Sequence, residues 1–585
     1  MQALEPLSLP LSGRRLIEAS AGTGKTYTIS GLYLRLLLGD FERPGLSCEQ
    51  ILVVTFTNAA TEELRDRIRK RIRSCYQRFI GLSVKDDFID QLYQRCPPTQ
   101  RATALKQLDL ALKSLDEAAI FTIHGFCQRI LSDMAFESAL LFESEFTLDD
   151  SEYLRQSVRD FWRHVCYRLP TALATAIAAH YATPDALGRE LRPLLGASQA
   201  SANRDPGKFD QYAEQLQTQL ARLRLSWPRE RDATEALLHS LPLNGTSYGK
   251  QADGYPKLTA MLEQMDNWAK YHQGLPTPKL LDSLALGSLK LRKGGEIPTA
   301  QQAPLLAQIE ALRDSVDSLI PAFLYQARAQ IAERFAELKA ERNLLSPDDL
   351  LLTLAKAIGG LTQTAPDSGL AIGEQLKQEI GKRFPVALID EFQDTDPLQF
   401  AIFSGIYPAQ LPQQDAGAEP EPKPEPEASR TLLMIGDPKQ AIYAFRGADI
   451  YTYIEARRNT ADHYNLDTNY RSASNMIAAV NRLFANHSDP FISDAIPFEP
   501  VKAKDAGSKQ LLAPGADSAA LQLRLLKEDP DKGLNKTQAR KLLAEDAAAE
   551  IVRLLNAANR GECRLSGNEQ PLRARDIAIL VRDRN

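Results

Sequence analysis

Apolar positions along the chain change their spacing more than once. Between residue 15 and about residue 130, short apolar runs alternate with stretches of helical period. Arg15–Glu18 and Ile51–Phe56 read as strands, Tyr27–Leu38 is an apolar stretch of helix length, and Ala59–Cys75 is a charged amphipathic helix. Strand and helix in that alternation predict a parallel sheet with flanking helices. From about 135 to 350 the spacing is helical, most plainly over Ser151–Tyr167 and Leu305–Arg342, and predicts a large α-helical insertion. The stretch 186–300 within it is poorly patterned and carries no functional signal.

Strand spacing returns at Val386–Asp390 and Thr431–Asp437, so the first sheet is expected to resume there, the insertion splitting one domain in sequence only. After about 460 come strand candidates at His463–Asp467, Leu521–Leu526 and Ile577–Val581, with a helix around Ala544–Ala558. The chain stops four residues past the last of these, which would leave a sheet face uncovered, and a truncated second domain is the expectation. The fold class is therefore α/β, with divisions expected at 1–134, 135–349, 350–460 and 461–585, the first and third sharing one sheet.

Composition narrows this picture little. With 585 residues, 44% hydrophobic and 25% charged, the chain is an ordinary soluble globular one of three or four domains. A net charge of −5 and a pI near 6.0 exclude a uniformly basic nucleic-acid coat but leave room for a local basic groove. The six cysteines (48, 75, 96, 127, 166 and 563) form no CxxC pair, which supports neither a disulfide framework nor a zinc or iron–sulfur site and fits a reducing compartment. No secretory leader pattern opens the chain, and no uncharged apolar run approaches the ~18 residues of a membrane span. The expectation is a cytoplasmic protein. Residues 413–429, QQDAGAEPEPKPEPEAS, are too polar and proline-rich to fold and read as a mobile surface loop.

Candidate chemistry concentrates at the ends of the predicted strands. ASAGTGKT, residues 19–26, joins a strand to a helix through glycines. Backbone N–H groups of Ala19, Ser20, Ala21, Gly22, Thr23 and Gly24 can face phosphate, Lys25 adds positive charge, and the Thr26 hydroxyl can ligate Mg²⁺. LIDEFQD, residues 388–394, supplies the complementary acids: Asp390 for the Mg²⁺ shell and Glu391 to activate water. Together they read as an ATP hydrolysis site whose halves lie far apart in sequence.

Four further segments add polar and aromatic groups. Thr55, Phe56, Thr57 and Asn58 mark a strand-to-helix turn that can grip phosphate and stack on a base, or can simply cap a helix through Asn58 or Thr61 with Glu62 and Glu63 in its first turn. His124, in IFTIHGFC, is either a structural imidazole or a donor to a nucleic-acid phosphate, with no metal-ligand spacing around it. In GDPKQAIYAFRGAD, residues 436–449, Gln440 can sense a γ-phosphate while Phe445 and Arg446 suit base stacking and phosphate pairing. In LDTNYRS, residues 466–472, Tyr470 can meet a nucleobase and Arg471 the charge on a transferring phosphoryl group, reaching it when domains close.

Taken in order, EASAGTGKT, VVTFTNAATEELRDRI, FTIHGFCQRIL, LIDEFQDTDPLQ, GDPKQAIYAFRGAD and LDTNYRS resemble the superfamily-one DNA helicases of the UvrD/Rep family, over essentially the whole chain. Within that family the chain looks most like the RecB type, the exodeoxyribonuclease V β subunits. No glutamine motif precedes the P-loop, and the segments FESALLFESEF and FWRHVCYRLP follow Ala135. The resemblance implies RecA-like domains, ATP and Mg²⁺ as cofactors, and Tyr470 near the adenine. It gives Lys25, Glu391, Gln440 and Arg471 to catalysis and Phe56, His124, Phe445 and Arg446 to the single-stranded DNA path.

It also implies 3′ to 5′ translocation, duplex ends as substrate, and RecC-like and RecD-like partners in a heterotrimer that acts in double-strand-break repair. Three positions depart from the family pattern: Tyr27 where UvrD-like proteins have an arginine, Phe445 in place of a tryptophan, and Pro347 in place of a phenylalanine. The later helicase motifs and a nuclease domain are absent, so weak or no hydrolysis is expected of this chain alone. Alternative readings are an AddA-type or UvrD-like repair helicase, a module that binds ATP or DNA without turnover, and a P-loop ATPase unrelated to DNA.

Overall fold

The computed structural model describes residues 2–41, 43–134, 145–195, 207–272, 274–359, 367–409, 430–444, 448–504, 510–515, 519–526, 533–566 and 570–581, with only the backbone of 367–371. Two compact units emerge, one of Met1–Ser138 with Leu354–Asn585 and the other of Ala139–Thr353.

The first unit is built on a seven-stranded sheet in which every pairing is parallel. Its strands are β1 (Gln2–Ala3), β2 (Arg14–Ala19), β3 (Ile51–Thr55), β4 (Ile120–Thr122), β5 (Val386–Ile389), β6 (Thr431–Gly436) and β7 (Asp462–Leu466). They lie in the order β1-β7-β2-β6-β5-β3-β4. Alternation explains the burial of both faces. Ile51 and Val53, with Leu388, Leu433 and Ile435, pack into one core with helices α1 (Lys25–Leu38) and α2 (Asn58–Phe79). Leu52, Val54, Ala387, Ile389, Leu432 and Met434 are equally buried but lie outside that core, as residues on the opposite face must. Helix α2 meets the core through Leu64, Ile68, Ile72 and Cys75, the stripe expected of a 3.6-residue period.

Three expectations for the C-terminal part give way. The strand around His463–Asp467 forms, but as β7 it pairs with β2 in the first sheet, with Arg15 opposite Asp462 and Ala19 opposite Leu466. The chain after 461 accordingly does not separate as a unit of its own. Leu521–Leu526 and Ile577–Val581 are not strands. An apolar run becomes a strand only where a neighbouring backbone offers hydrogen-bond partners. Among the described residues no strand pairs with 577–581, and Ile579, Leu580 and Val581 stay exposed. The helix expected near 544–558 runs over Lys536–Asn559, started by an Asn535/Gln538 capping box. The 413–429 tract lies outside the described residues.

The second unit holds the long helices Phe209–Ser240 and Pro304–Ala340. Its core gathers Trp227, Tyr248, Tyr255, Trp268 and Phe323. The stretch 186–300 resists pattern reading because two of its later helices start at prolines, Pro256 and Pro278, and the second of them is short. Its buried tyrosines are amphipathic: Tyr255 donates its hydroxyl to the Leu241 carbonyl at 3.2 Å and Tyr248 to that of Ser283 at 2.9 Å.

Candidate active site

Six strands, adjacent in the sheet from β7 to β4, deliver the six motifs to one edge. Their carboxyl ends carry, in spatial order, LDTNYRS, the P-loop, GDPKQ, DEFQD, TFTN and the His124 turn. That edge is where parallel sheets present ligand-binding groups.

The P-loop leaves β2 at Ala19 and enters α1 at Lys25. Gly22 and Gly24 take φ of 80° and 90°, left-handed values that only glycine adopts without strain. Thr23 closes the turn, its hydroxyl donating to the Ser20 carbonyl at 2.7 Å. No side chain caps α1, which leaves its first N–H groups to a ligand. Thr26 is half-buried in the first turn.

Opposite stands Glu391. Asp390 and Glu391 follow β5, and Glu391 holds a left-handed φ of 51°. Lys25 Nζ lies 2.7 Å from Glu391 Oε2. Asp390 Oδ1 accepts the Glu391 N–H at 2.9 Å, and its own N–H is tied to the Val54 carbonyl of β3 at 2.9 Å. Burial, reinforced by the neighbouring Glu391 and opposed by Lys25, pushes the Asp390 carboxyl up to about 6. A buried acid in that state gains from a divalent cation, so this donor set fits Mg²⁺. Asp394 is also pushed up to about 6, by burial and by Glu391, and one of its oxygens is buried without a partner.

Gln440 sits on the turn after β6, its amide donating to Asp437 Oδ2 at 2.7 Å; Lys439 Nζ holds Asp437 Oδ1 at 2.8 Å. Beyond β7, Asn469 Nδ2 donates to the Ala21 carbonyl at 2.7 Å and the Tyr470 N–H to that of Gly22 at 2.8 Å. The segment bearing Tyr470 and Arg471 is thus anchored on the P-loop through β7, and does not wait on a separate domain to reach it. Tyr470 is 60% exposed, with the Lys504 ammonium 5.0 Å from its ring centre.

At the far end of the edge, Phe56 stacks on Tyr443 with ring centres 5.5 Å apart and planes at 28°. Thr55 is buried and its hydroxyl pairs with that of Thr61 at 2.6 Å, so it shapes the turn from within. Thr57 caps α2 by accepting the Ala60 N–H, where Asn58 or Thr61 was the expected cap; Glu62 and Glu63 fall past the first turn. Phe56 is half-buried, and Thr57 and Asn58 are exposed. His124 is half-buried in the first turn of the helix Ile123–Asp133, which Thr122 caps. Phe445 and Arg446 lie outside the described residues.

Sequence reading passed over Gln393, Asp394, Asp437, Asn469 and Tyr443, all within motifs it singled out. Their signal was the density of amides and acids beside the assigned residues. Gln393 meets the Asp437 N–H, Asn469 the Ala21 carbonyl and Tyr443 the Phe56 ring across segments that follow different strands, so spacing could not assign them roles.

A model of the UvrD/REP helicase N-terminal domain matches residues 2–283 and 296–461. The RecBCD enzyme subunit RecB of Escherichia coli K12 is 39% identical over 600 residues, covering 100% of this chain and 47% of the relative. The RecB subunit of Haemophilus influenzae is 33% identical, covering 100% and 48%, and that of Mycolicibacterium smegmatis 27%, covering 99% and 38%. The chain spans about half or less of the length of these relatives.

Proposed function

This chain belongs to the UvrD/Rep helicase family, and we propose that it carries the ATP site of a RecB-type DNA helicase subunit acting in double-strand-break repair and recombination. The observation that carries the reading is the approach of Lys25 Nζ to Glu391 Oε2 at 2.7 Å across the carboxyl edge of the sheet. Lys25, Thr26 and the N–H groups of residues 19–24 would hold the triphosphate, and Thr26 with Asp390 the Mg²⁺, which when bound neutralises phosphate charge. Lys25 exchanges Glu391 for phosphate, and Glu391, released from its counter-charge, takes the proton of the attacking water. Gln440 reads the γ-phosphate, Arg471 faces the charge that develops there, and Tyr470 meets the adenine.

The Phe56–Tyr443 stack, with Thr57 and Asn58 next in the chain and His124 following the neighbouring strand, supports a path for single-stranded DNA along the same edge. On this reading the parent protein moves 3′ to 5′ from duplex ends, works with RecC-like and RecD-like subunits, carries a nuclease domain and resides in the cytoplasm. Among the described residues no helix is long and apolar enough to cross a membrane.

The test is equilibrium binding of a fluorescent ATP analogue with Mg²⁺, and hydrolysis with and without oligo-dT, for wild type and Lys25→Ala. Binding that Lys25→Ala abolishes supports the site. A wild-type chain with no affinity for Mg·ATP ends the reading.

A further inference from the structure

Gln393 is 2% exposed and sits in the tight turn directly after Glu391. Both N–H groups and the carbonyl oxygen of its amide are engaged. Nε2 lies 2.8 Å from Glu391 Oε2 and 3.4 Å from Asp394 Oδ2, and Oε1 accepts the Asp437 N–H at 2.9 Å. These partners fix the amide's orientation, because a flip would turn its oxygen onto two carboxylates and its NH₂ onto an N–H. The fit requires a glycine at the end of β6: a Cβ on Gly436 would fall 2.6 Å from Gln393 Oε1. Asp437 in turn holds the Gln440 amide. One buried side chain therefore links the acid after β5 to the glutamine-bearing turn after β6.

Lys25 and Gln393 both donate to the same oxygen of Glu391, Oε2, and among the described residues none donates to Oε1. The two donors differ in permanence. Lys25 is attracted away by a polyphosphate, whereas an uncharged amide held at its other end by a backbone N–H is not.

Resting on the ATPase reading of this site, we propose that Gln393 is the positioning residue of hydrolysis. It keeps Glu391 oriented through Oε2 once Lys25 has moved to phosphate, leaves Oε1 for the attacking water, and couples that carboxylate to the Gln440 turn through Asp437.

The experiment is single-turnover hydrolysis of Mg·ATP by excess 585-residue chain, with nucleotide affinity measured in parallel, for wild type, Gln393→Glu and Gln393→Met. Both variants are expected to bind Mg·ATP within about threefold of wild type and to hydrolyse it ~10²-fold more slowly, the scale of a misplaced reacting group. Gln393→Glu, which sets a third carboxylate against Glu391 and Asp394, should also move the acid limb of the rate–pH profile upward by about one unit. Gln393→Met keeps the volume without adding charge, should leave that limb in place, and carries the rate test if the Glu variant fails to fold. Variants that bind normally and hydrolyse within twofold of wild type overturn the proposal and leave the ATPase reading standing. A wild-type chain that binds Mg·ATP and never cleaves it overturns the positioning role, and one that binds none overturns both readings.

Discussion

Lys25 Nζ and Glu391 Oε2 meet at 2.7 Å although 366 residues separate them in the chain. Their side chains are 13% and 37% exposed, so the pair is neither a solvated surface contact nor a sealed core one. It is a contact that a ligand can open, with the lysine able to exchange one anion for another.

Glu391→Gln should separate binding from chemistry. The amide keeps the shape of the side chain but cannot take a proton, so Mg·ATP affinity is expected to hold or rise while hydrolysis falls ~10²- to 10⁴-fold. Affinity should gain because Lys25 no longer leaves a charged partner on binding phosphate. Isothermal titration with Mg·ATP and single-turnover hydrolysis check the two halves, and a loss of affinity matching that of Lys25→Ala would contradict the exchange.

Asp394→Asn should stabilise the protein in a pH-dependent way. The Asp394 carboxyl, at about 6 in the folded chain, stands above its unfolded value of about 3.9. Its contribution to stability is full below pH 4 and is lost as pH rises through 6, as the buried carboxylate ionises. Asparagine does not suffer that loss. The variant's gain over wild type should grow from pH 4 to 6 and level off above, at about 1–3 kcal/mol. Thermal melts at pH 4, 5, 6 and 8 decide it, and a difference that does not change with pH refutes it.

Gly22→Ala should fail at the P-loop for two reasons. The new Cβ would lie 2.8 Å from both Asn469 Oδ1 and Arg471 Cβ, on a backbone with φ of 80°. Loss of nucleotide binding and about 1–3 kcal/mol of stability are expected. Adding Asn469→Gly removes part of the clash but none of the backbone strain, and it also removes the Asn469 hydrogen bond to the Ala21 carbonyl, so recovery of stability should be at most partial. Full recovery would show that the left-handed turn costs nothing here.

Phe56→Ala should weaken single-stranded DNA without touching ATP affinity in its absence. One base stacked on an aromatic ring contributes ~1–3 kcal/mol, or about five- to 150-fold in affinity. Fluorescence anisotropy with labelled oligo-dT measures it. Unchanged DNA affinity would mean that the ring serves only to pack against Tyr443.

Local structure was legible in the sequence because its causes are local. Glycines at 22 and 24, a lysine opening a helix, and the unbroken apolar run Ile51–Val54, buried on both faces, act within a few residues of themselves, and strand, turn and helix follow from that range of interaction. The acids at 390 and 391 could be assigned for the same reason, since they end a run of four buried residues. Which strands neighbour one another is a different matter. His463–Asp467 reads as a strand from either side of a domain boundary, and only its hydrogen bonds to Arg15–Ala19 put LDTNYRS on the P-loop. Gln393 looks like an ordinary polar residue in a turn until β5 and β6 pair and bring Asp437 to its oxygen. Side-chain chemistry and backbone freedom are written residue by residue. The order β7-β2-β6-β5-β3-β4 is set by which buried faces and backbone edges satisfy each other in three dimensions, and that competition brought Lys25 to Glu391.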